Sequence, residues 1–213
     1  MKKPERTIFS AFTIVLTFLS RVYVEPVDAA LMQYLNEQDL FSHWPLPSNP
    51  QSSRGLAILR TFVRQWTPDQ MPDLKLDYTR LFIGLEHMQA PPYASVYLGQ
   101  EKIMFDLPTL EIRDLYRRYG LKSRTSHKEP DDHIGLELSF LQYLCMEAVK
   151  SDNLEASDVL IQDMKHFLEG HLNKWLPDFV KSVKKHAETE FYAGIADVTE
   201  RTVLELTDYL SKL

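Results

Sequence analysis

Residues 132–150 read DHIGLELSFLQYLCMEAVK, which places Ile134, Leu136, Leu138, Phe140, Leu141, Leu144, Cys145 and Met146 around nearly the whole circumference of a helix. A helix that is apolar all round has to be enclosed by other helices. This stretch is therefore expected to be the central, most buried helix, with Asp131 or Asp132 accepting the free N–H groups of its first turn. Toward the C-terminus the same 3, 4 and 7 spacing recurs. Leu160, Met164, Phe167 and Leu168 carry one helix up to Gly170. Leu172, Trp175, Leu176, Phe179, Val180 and Val183 carry the next, kinked or restarted at Pro177, and Phe191, Ile195, Val198, Leu206 and Tyr209 carry the last.

Toward the N-terminus a polar linker, KSRTSHKEP, precedes the central helix. Before it, a helix from about Asp106 to Tyr119 ends in Arg117, Arg118 and Gly120, a cationic last turn and a stop residue. The stretch EHMQAPPYASVYLG from Glu86 to Gly99 cannot be helical at Pro91-Pro92, and only Ser95 to Leu98 within it suggests a strand. Leu74, Tyr78, Leu81 and Phe82 mark a helix closing in a left-handed cap near Gly84. Leu56, Leu59, Phe62, Val63 and Trp66 mark another, capped by Ser52 or Ser53 after the PLPSNPQSS loop of residues 45–53. Ala30, Leu31, Tyr34 and Leu35 give a short apolar face, and Ile8, Phe12, Val15, Leu19 and Tyr23 give a long one. The expected architecture is all-α, one helical-bundle domain over residues 1–213 with about nine or ten helices and a hinge near 121–130.

Composition agrees and excludes several classes. With 44% hydrophobic and 25% charged residues the chain is rich enough in apolar side chains to fold, and its single Cys145, in an apolar run, cannot make an internal disulfide. A formal charge of −6 gives no reason to bind a phosphate backbone and favours a basic partner. Lys2 and Lys3 followed by IFSAFTIVLTFL superficially match a secretory signal, yet Ser10, Thr13 and Thr17 dilute the run and its rhythm is that of a packed helix. No stretch reaches the roughly 18 apolar residues of a membrane span, so a cytoplasmic protein without stable membrane insertion is expected.

The local signatures of catalysis are missing: no phosphate loop, no GxGxxG turn, no GxSxG elbow, no HExxH helix and no Cys pair. His133 and Glu137, four apart, could present two metal ligands on one helical face, and Asp163 with His166 gives an Asp-x-x-His. A metal-dependent hydrolase or oxygenase in a helical bundle is thus the second reading. A nucleic-acid surface built from Arg113, Arg117, Arg118, Lys122, Arg124 and Lys128 is a third, weakened by the net charge.

Two stretches stand apart from the helical background. One runs Tyr78-Thr79-Arg80-Leu81-Phe82-Ile83-Gly84 and then Ala90-Pro91-Pro92-Tyr93-Ala94-Ser95-Val96-Tyr97-Leu98, an aromatic and proline-rich shelf. The other is Glu129-Pro130-Asp131-Asp132-His133 with Glu137 beyond, four acids with no Lys or Arg among them. Carboxylates at a pocket edge suit the planar fork of a guanidinium, while from spacing alone a well-capped helix is the better explanation.

In this order, roughly forty residues apart, the two stretches resemble the TorD/DmsD family of redox-enzyme maturation chaperones. The resemblance rests on Tyr78, Leu81-Phe82, Gly84, Pro91-Pro92-Tyr93, Ser95 to Leu98 and Glu129 to His133, then on His171-Leu172, Trp175, Phe179 and Phe191-Tyr192. It covers about Leu74 to Leu206. It implies a non-enzymatic chaperone with no catalytic residues, cofactor or metal of its own. Its partners would be the twin-arginine leader and catalytic subunit of a molybdenum-cofactor oxidoreductase, with the export translocase as a further one. In that reading Tyr78, Leu81, Phe82, Pro92 and Tyr93 form an apolar wall and Asp132 and His133 the leader-binding region, in a monomer or a domain-swapped dimer. Leu85 and Asp106 depart from residues common among relatives, and Tyr78 and Tyr93 stand where the DmsD branch has Trp, which leaves the cargo open.

Overall fold

The expected central helix is Ile134–Lys150, and it lies antiparallel against the long N-terminal helix Arg6–Val24. The two ends show the direction. Arg6 meets Asp152 just beyond one end of the pair, and the Ser20 hydroxyl donates to the Gly135 carbonyl at the other, at 2.7 Å. The approach is close enough that a Cβ on Gly135 would lie 2.6 Å from Val24 Cγ2 and 3.1 Å from the Ser20 carbonyl oxygen. Glycine at 135 is thus a packing requirement.

A computed structural model describes residues 6–47, 53–84, 87–98, 107–121 and 130–213, with only the backbone of 107–111. In chain order the described helices are α1 Arg6–Val24, α2 Ala29–Glu37, α3 Arg54–Gln65, α4 Met71–Tyr78, α5 Ala94–Leu98, α6 Leu107–Arg118, α7 Ile134–Lys150, α8 Leu154–Phe167, α9 Asn173–His186 and α10 Glu190–Leu210. Two π-helical turns, Thr79–Ile83 and Leu168–Leu172, extend α4 and join α8 to α9. No strand occurs among the described residues, so the fold is all-α. The 122–129 part of the expected hinge lies outside them.

α1 is the one described helix long and apolar enough to span a bilayer. Here Phe9, Phe12, Val15, Leu16, Leu19, Val22 and Tyr23 are buried in the core instead. Several local expectations change. α2 buries Met32 and Leu35 and leaves Tyr34 57% exposed. The cause is the helix start: Asp28 is the N-cap, and Val27 and Met32, at the two positions of a hydrophobic staple, are both buried and set the inward face. Ser95 to Leu98 form the helical turn α5 in place of a strand. The interruption expected at Pro177 falls earlier. Pro177 has no N–H for the Asn173 carbonyl and its ring crowds that group, and the π turn ends immediately before Asn173.

A buried carboxylate ties α4 to α10. Asp77 accepts from the N–H groups of Glu188 (3.1 Å) and Thr189 (2.8 Å) and from the Thr189 hydroxyl (2.7 Å). It thereby satisfies donors at the start of α10 that no intrahelical carbonyl reaches. Arg80, in the π turn, donates to the His186 carbonyl and pairs with Glu188, which fixes the same junction from outside.

Candidate functional site: the joint between the two motifs

The proline-rich shelf and the acidic stretch are joined directly by backbone. Ile134 N–H donates to the Pro92 carbonyl (2.8 Å) and Ala94 N–H to the Asp132 carbonyl (3.0 Å), an isolated antiparallel bridge pairing Tyr93 with His133. The two rings meet edge-on, with centroids 5.3 Å apart. Proline suits this position because it holds φ in the extended range and gives up only an N–H that the pairing does not use.

Asp132 is not the cap of its own helix. Its Oδ2 accepts from Ser95 N–H at 2.7 Å and so caps α5, across the joint. The N-cap of α7 is His133, whose Nδ1 accepts from Gly135 N–H at 3.0 Å. Accepting at Nδ1 places the proton of the neutral ring on Nε2. Burial holds the His133 pKa down, from 6.5 to about 4. Asp132 and Ser95 are both 0% exposed, yet Asp132 Oδ1 and Ser95 Oγ have no hydrogen-bond partner among the described residues. Leaving one oxygen of a buried carboxylate unsatisfied costs about 1–3 kcal/mol or more.

The other acids also point inward. Asp131 accepts from Arg113 Nε at 2.5 Å. Glu137, fully buried, meets His171 Nε2 at 2.6 Å and accepts from Trp175 Nε1 at 3.2 Å. Burial raises the Glu137 pKa, opposed by His171 and Trp175. Glu129 lies outside the described residues. The acids thus do not form an open cluster at a pocket edge. The three described ones are each engaged, and among them Asp132 has a buried carboxylate oxygen left without a partner among the described residues.

Of the seven residues expected to receive a leader, Pro92, Tyr93, Asp132 and His133 form this joint, while Tyr78, Leu81 and Phe82 sit in a separate aromatic cluster. All seven are buried. Phe82 meets Tyr78 (5.3 Å), Tyr23 (5.6 Å), Tyr192 (5.7 Å) and Phe179 (6.2 Å). The joint and the cluster are linked by α5: Tyr97 stacks on Trp175 at 5.6 Å and meets Phe179 edge-on, and Phe179 touches Phe82. Tyr97, Trp175 and Phe179 stood in the motif that suggested the family but not among the expected site residues. Glu137 and His171 had no signal of partnership in the sequence, being 34 residues apart.

Gly84 closes this region in an unexpected way. Its φ of 73° is positive but its ψ of 140° is not left-handed helical. Its N–H donates to the Thr79 carbonyl at 2.7 Å to close the π turn, and a Cβ there would sit 2.7 Å from Met88 N. The neighbouring carbonyls of Arg80 and Leu81 accept from Gln89 and Ala90, which pins the shelf to the aromatic cluster. The metal reading loses its ligand pair, since His133 Nδ1 and Glu137 are each engaged elsewhere. No group of metal-ligating side chains occurs among the described residues.

Comparison with known proteins supplies the family. The family model for the nitrate reductase delta subunit matches residues 49–181. The chaperone protein TorD of Photobacterium profundum is 32% identical over 126 residues, 59% of this chain and 58% of that protein. The Tat proofreading chaperone DmsD of Salmonella typhi is 27% identical over 177 residues, 83% of this chain and 78% of that protein. The match to the Photobacterium TorD thus spans less than two thirds of that relative's length. A crystal structure described as a redox enzyme maturation protein of Archaeoglobus fulgidus superposes with a TM-score of 0.50, at 22% identity and covering 96% of each chain, a likeness of fold. With its fold, both motifs and the family model in agreement, the chain belongs to the nitrate reductase delta subunit family, which includes the TorD and DmsD chaperones.

Proposed function

We propose that this protein is a cytoplasmic chaperone that binds the twin-arginine leader of a molybdenum-cofactor oxidoreductase, of the DMSO/TMAO reductase or formate dehydrogenase type. By holding the leader it assists cofactor insertion and delays export until the client has folded. The names of the relatives support the chaperone role and the kind of partner. The observation that carries the reading in this chain is the half-satisfied Asp132 carboxylate, buried at the joint beside an aromatic wall. A guanidinium is the donor best matched to a lone carboxylate oxygen, and the apolar stretch after an arginine pair suits the wall of Tyr97, Trp175 and Phe179. Because all seven expected residues are buried, binding requires the strip from Pro92 to Leu98 to shift. The structure holds that strip by a few hydrogen bonds to Asp132 and Ile134.

The test is a titration of a fluorescent twin-arginine leader into the full chain. Micromolar binding is expected. Asp132→Ala combined with His133→Ala should weaken it by about tenfold or more, the effect of one charge-assisted hydrogen bond. Absence of micromolar binding by the native protein, or unchanged affinity in the double variant, would count against the proposal.

A further inference from the structure

A second surface has the chemistry of the same ligand and none of the burial. Between α3, α4 and the turn from α9 into α10 lies a groove of about 430 Å³ whose lining includes Phe62, Leu74 and Leu76 and the acids Asp73, Glu188 and Glu190. No Lys or Arg lines it among the described residues. We propose that this groove is a docking surface for the leader, with its arginine pair over Asp73 and Glu190 and the apolar stretch that follows over Leu76 and the half-buried Phe62. The inference rests on the leader-binding function proposed above and adds a place where the peptide is met before, or alongside, the joint.

Four observations select this occupant. Asp73 and Glu190 are exposed and make no ion pair among the described residues, whereas Glu188 is already held by Arg80 and Asp77 is spent on the start of α10. The groove therefore retains uncompensated negative charge. Leu76 is 51% exposed beside those carboxylates, an apolar side chain the bundle does not use. Acid and apolar surface in one concavity complement a segment that is basic and then apolar, and they match neither an acidic nor a purely apolar one. Finally, the groove adjoins the aromatic cluster through Asp77. Leu74 and Thr189 line it, and Thr189 is bonded to Asp77, next to Tyr78 of the aromatic cluster.

The test compares the native chain with Asp73→Asn/Glu190→Gln and Asp73→Lys/Glu190→Lys. The probes are synthetic leaders carrying Arg-Arg, Gln-Gln or Glu-Glu before the same apolar stretch, at about 20 mM and about 300 mM salt. The neutral variant should bind the Arg-Arg leader about fivefold more weakly at low salt, with little difference at high salt, as befits exposed ion pairs. It should bind the Gln-Gln leader like the native chain, and the lysine variant should regain affinity for the Glu-Glu leader, which no purely structural role of these residues predicts. Equal affinity of the neutral variant and the native chain for Arg-Arg at low salt overturns the groove. If Asp132→Asn meanwhile loses binding, the leader-binding function stands without it. A native chain that binds no leader defeats both. Should the variants change sedimentation of the chain and not leader affinity, the groove is a contact between copies and the inference fails.

Discussion

Asp132 offers a way to separate stability from recognition. Its Oδ2 is the acceptor for the buried Ser95 N–H, while Oδ1 is buried with no partner among the described residues. Asp132→Ala removes the acceptor and strands that N–H, at a cost of about 1–3 kcal/mol, and the release of a half-satisfied carboxylate offsets part of this. A net loss of about 1 kcal/mol is expected. Asp132→Asn keeps an oxygen for Ser95 and buries an amide in place of a charge, so its stability should equal or exceed the native value. Both variants lack the second carboxylate oxygen and should lose leader affinity. Urea unfolding followed by far-UV circular dichroism gives the stabilities, and the leader titration gives the affinities. The result that refutes the reasoning is an Asn variant destabilised as much as the Ala variant, for then the charge serves the fold. A charge that the fold would do better without is one kept for a ligand.

Three further outcomes are expected. The His133 pKa falls from 6.5 to about 4 on folding, so the unfolded chain binds the extra proton between those values. Stability from this group is complete above pH 6.5 and is lost as pH falls toward 4, to a total of about 3 kcal/mol. His133→Asn, which puts an amide oxygen in place of the Nδ1 cap acceptor, should flatten that part of the urea-midpoint profile. Removing one partner of the buried Glu137–His171 pair, by Glu137→Ala or His171→Ala, should cost about 3–5 kcal/mol in denaturant melts, whereas the double change Glu137→Leu/His171→Leu should cost far less. A double-variant loss as large as the sum of the two single losses would show that the pair is not coupled. Gly135→Ala should destabilise by about 1–3 kcal/mol by forcing α1 off α7, with part of the loss recovered by Val24→Ala, again read from urea midpoints.

Apart from the short turn α5, the helices were legible because each carries an apolar face of the right period, and α7 was recognisable as central from its lack of a polar one. What periodicity does not encode is how a helix end is closed by groups distant in sequence. An aspartate ahead of an apolar run looks like the cap of that run, yet Asp132 caps α5, 37 residues away, and His133 takes the nearer role. The difference arises because the two prolines leave α5 without a preceding residue suited to capping it. The same limit applied to the acids. Their count and spacing are visible in sequence, but whether a carboxylate faces water or an internal donor depends on Arg113, His171 and Trp175, placed by tertiary packing. The pairing of the two motifs was suggested only by their order and was made physical by the bridge between Tyr93 and His133.

That bridge has a consequence for how such a protein can change. It fastens the chain at Tyr93 and again at His133, so everything between, α6 included, is an excursion closed at its base. Closing a flexible loop grows costlier only with the logarithm of its length, so doubling the excursion would add about 0.6 kcal/mol. Residues could be inserted or removed between the motifs at little cost while the joint keeps its geometry.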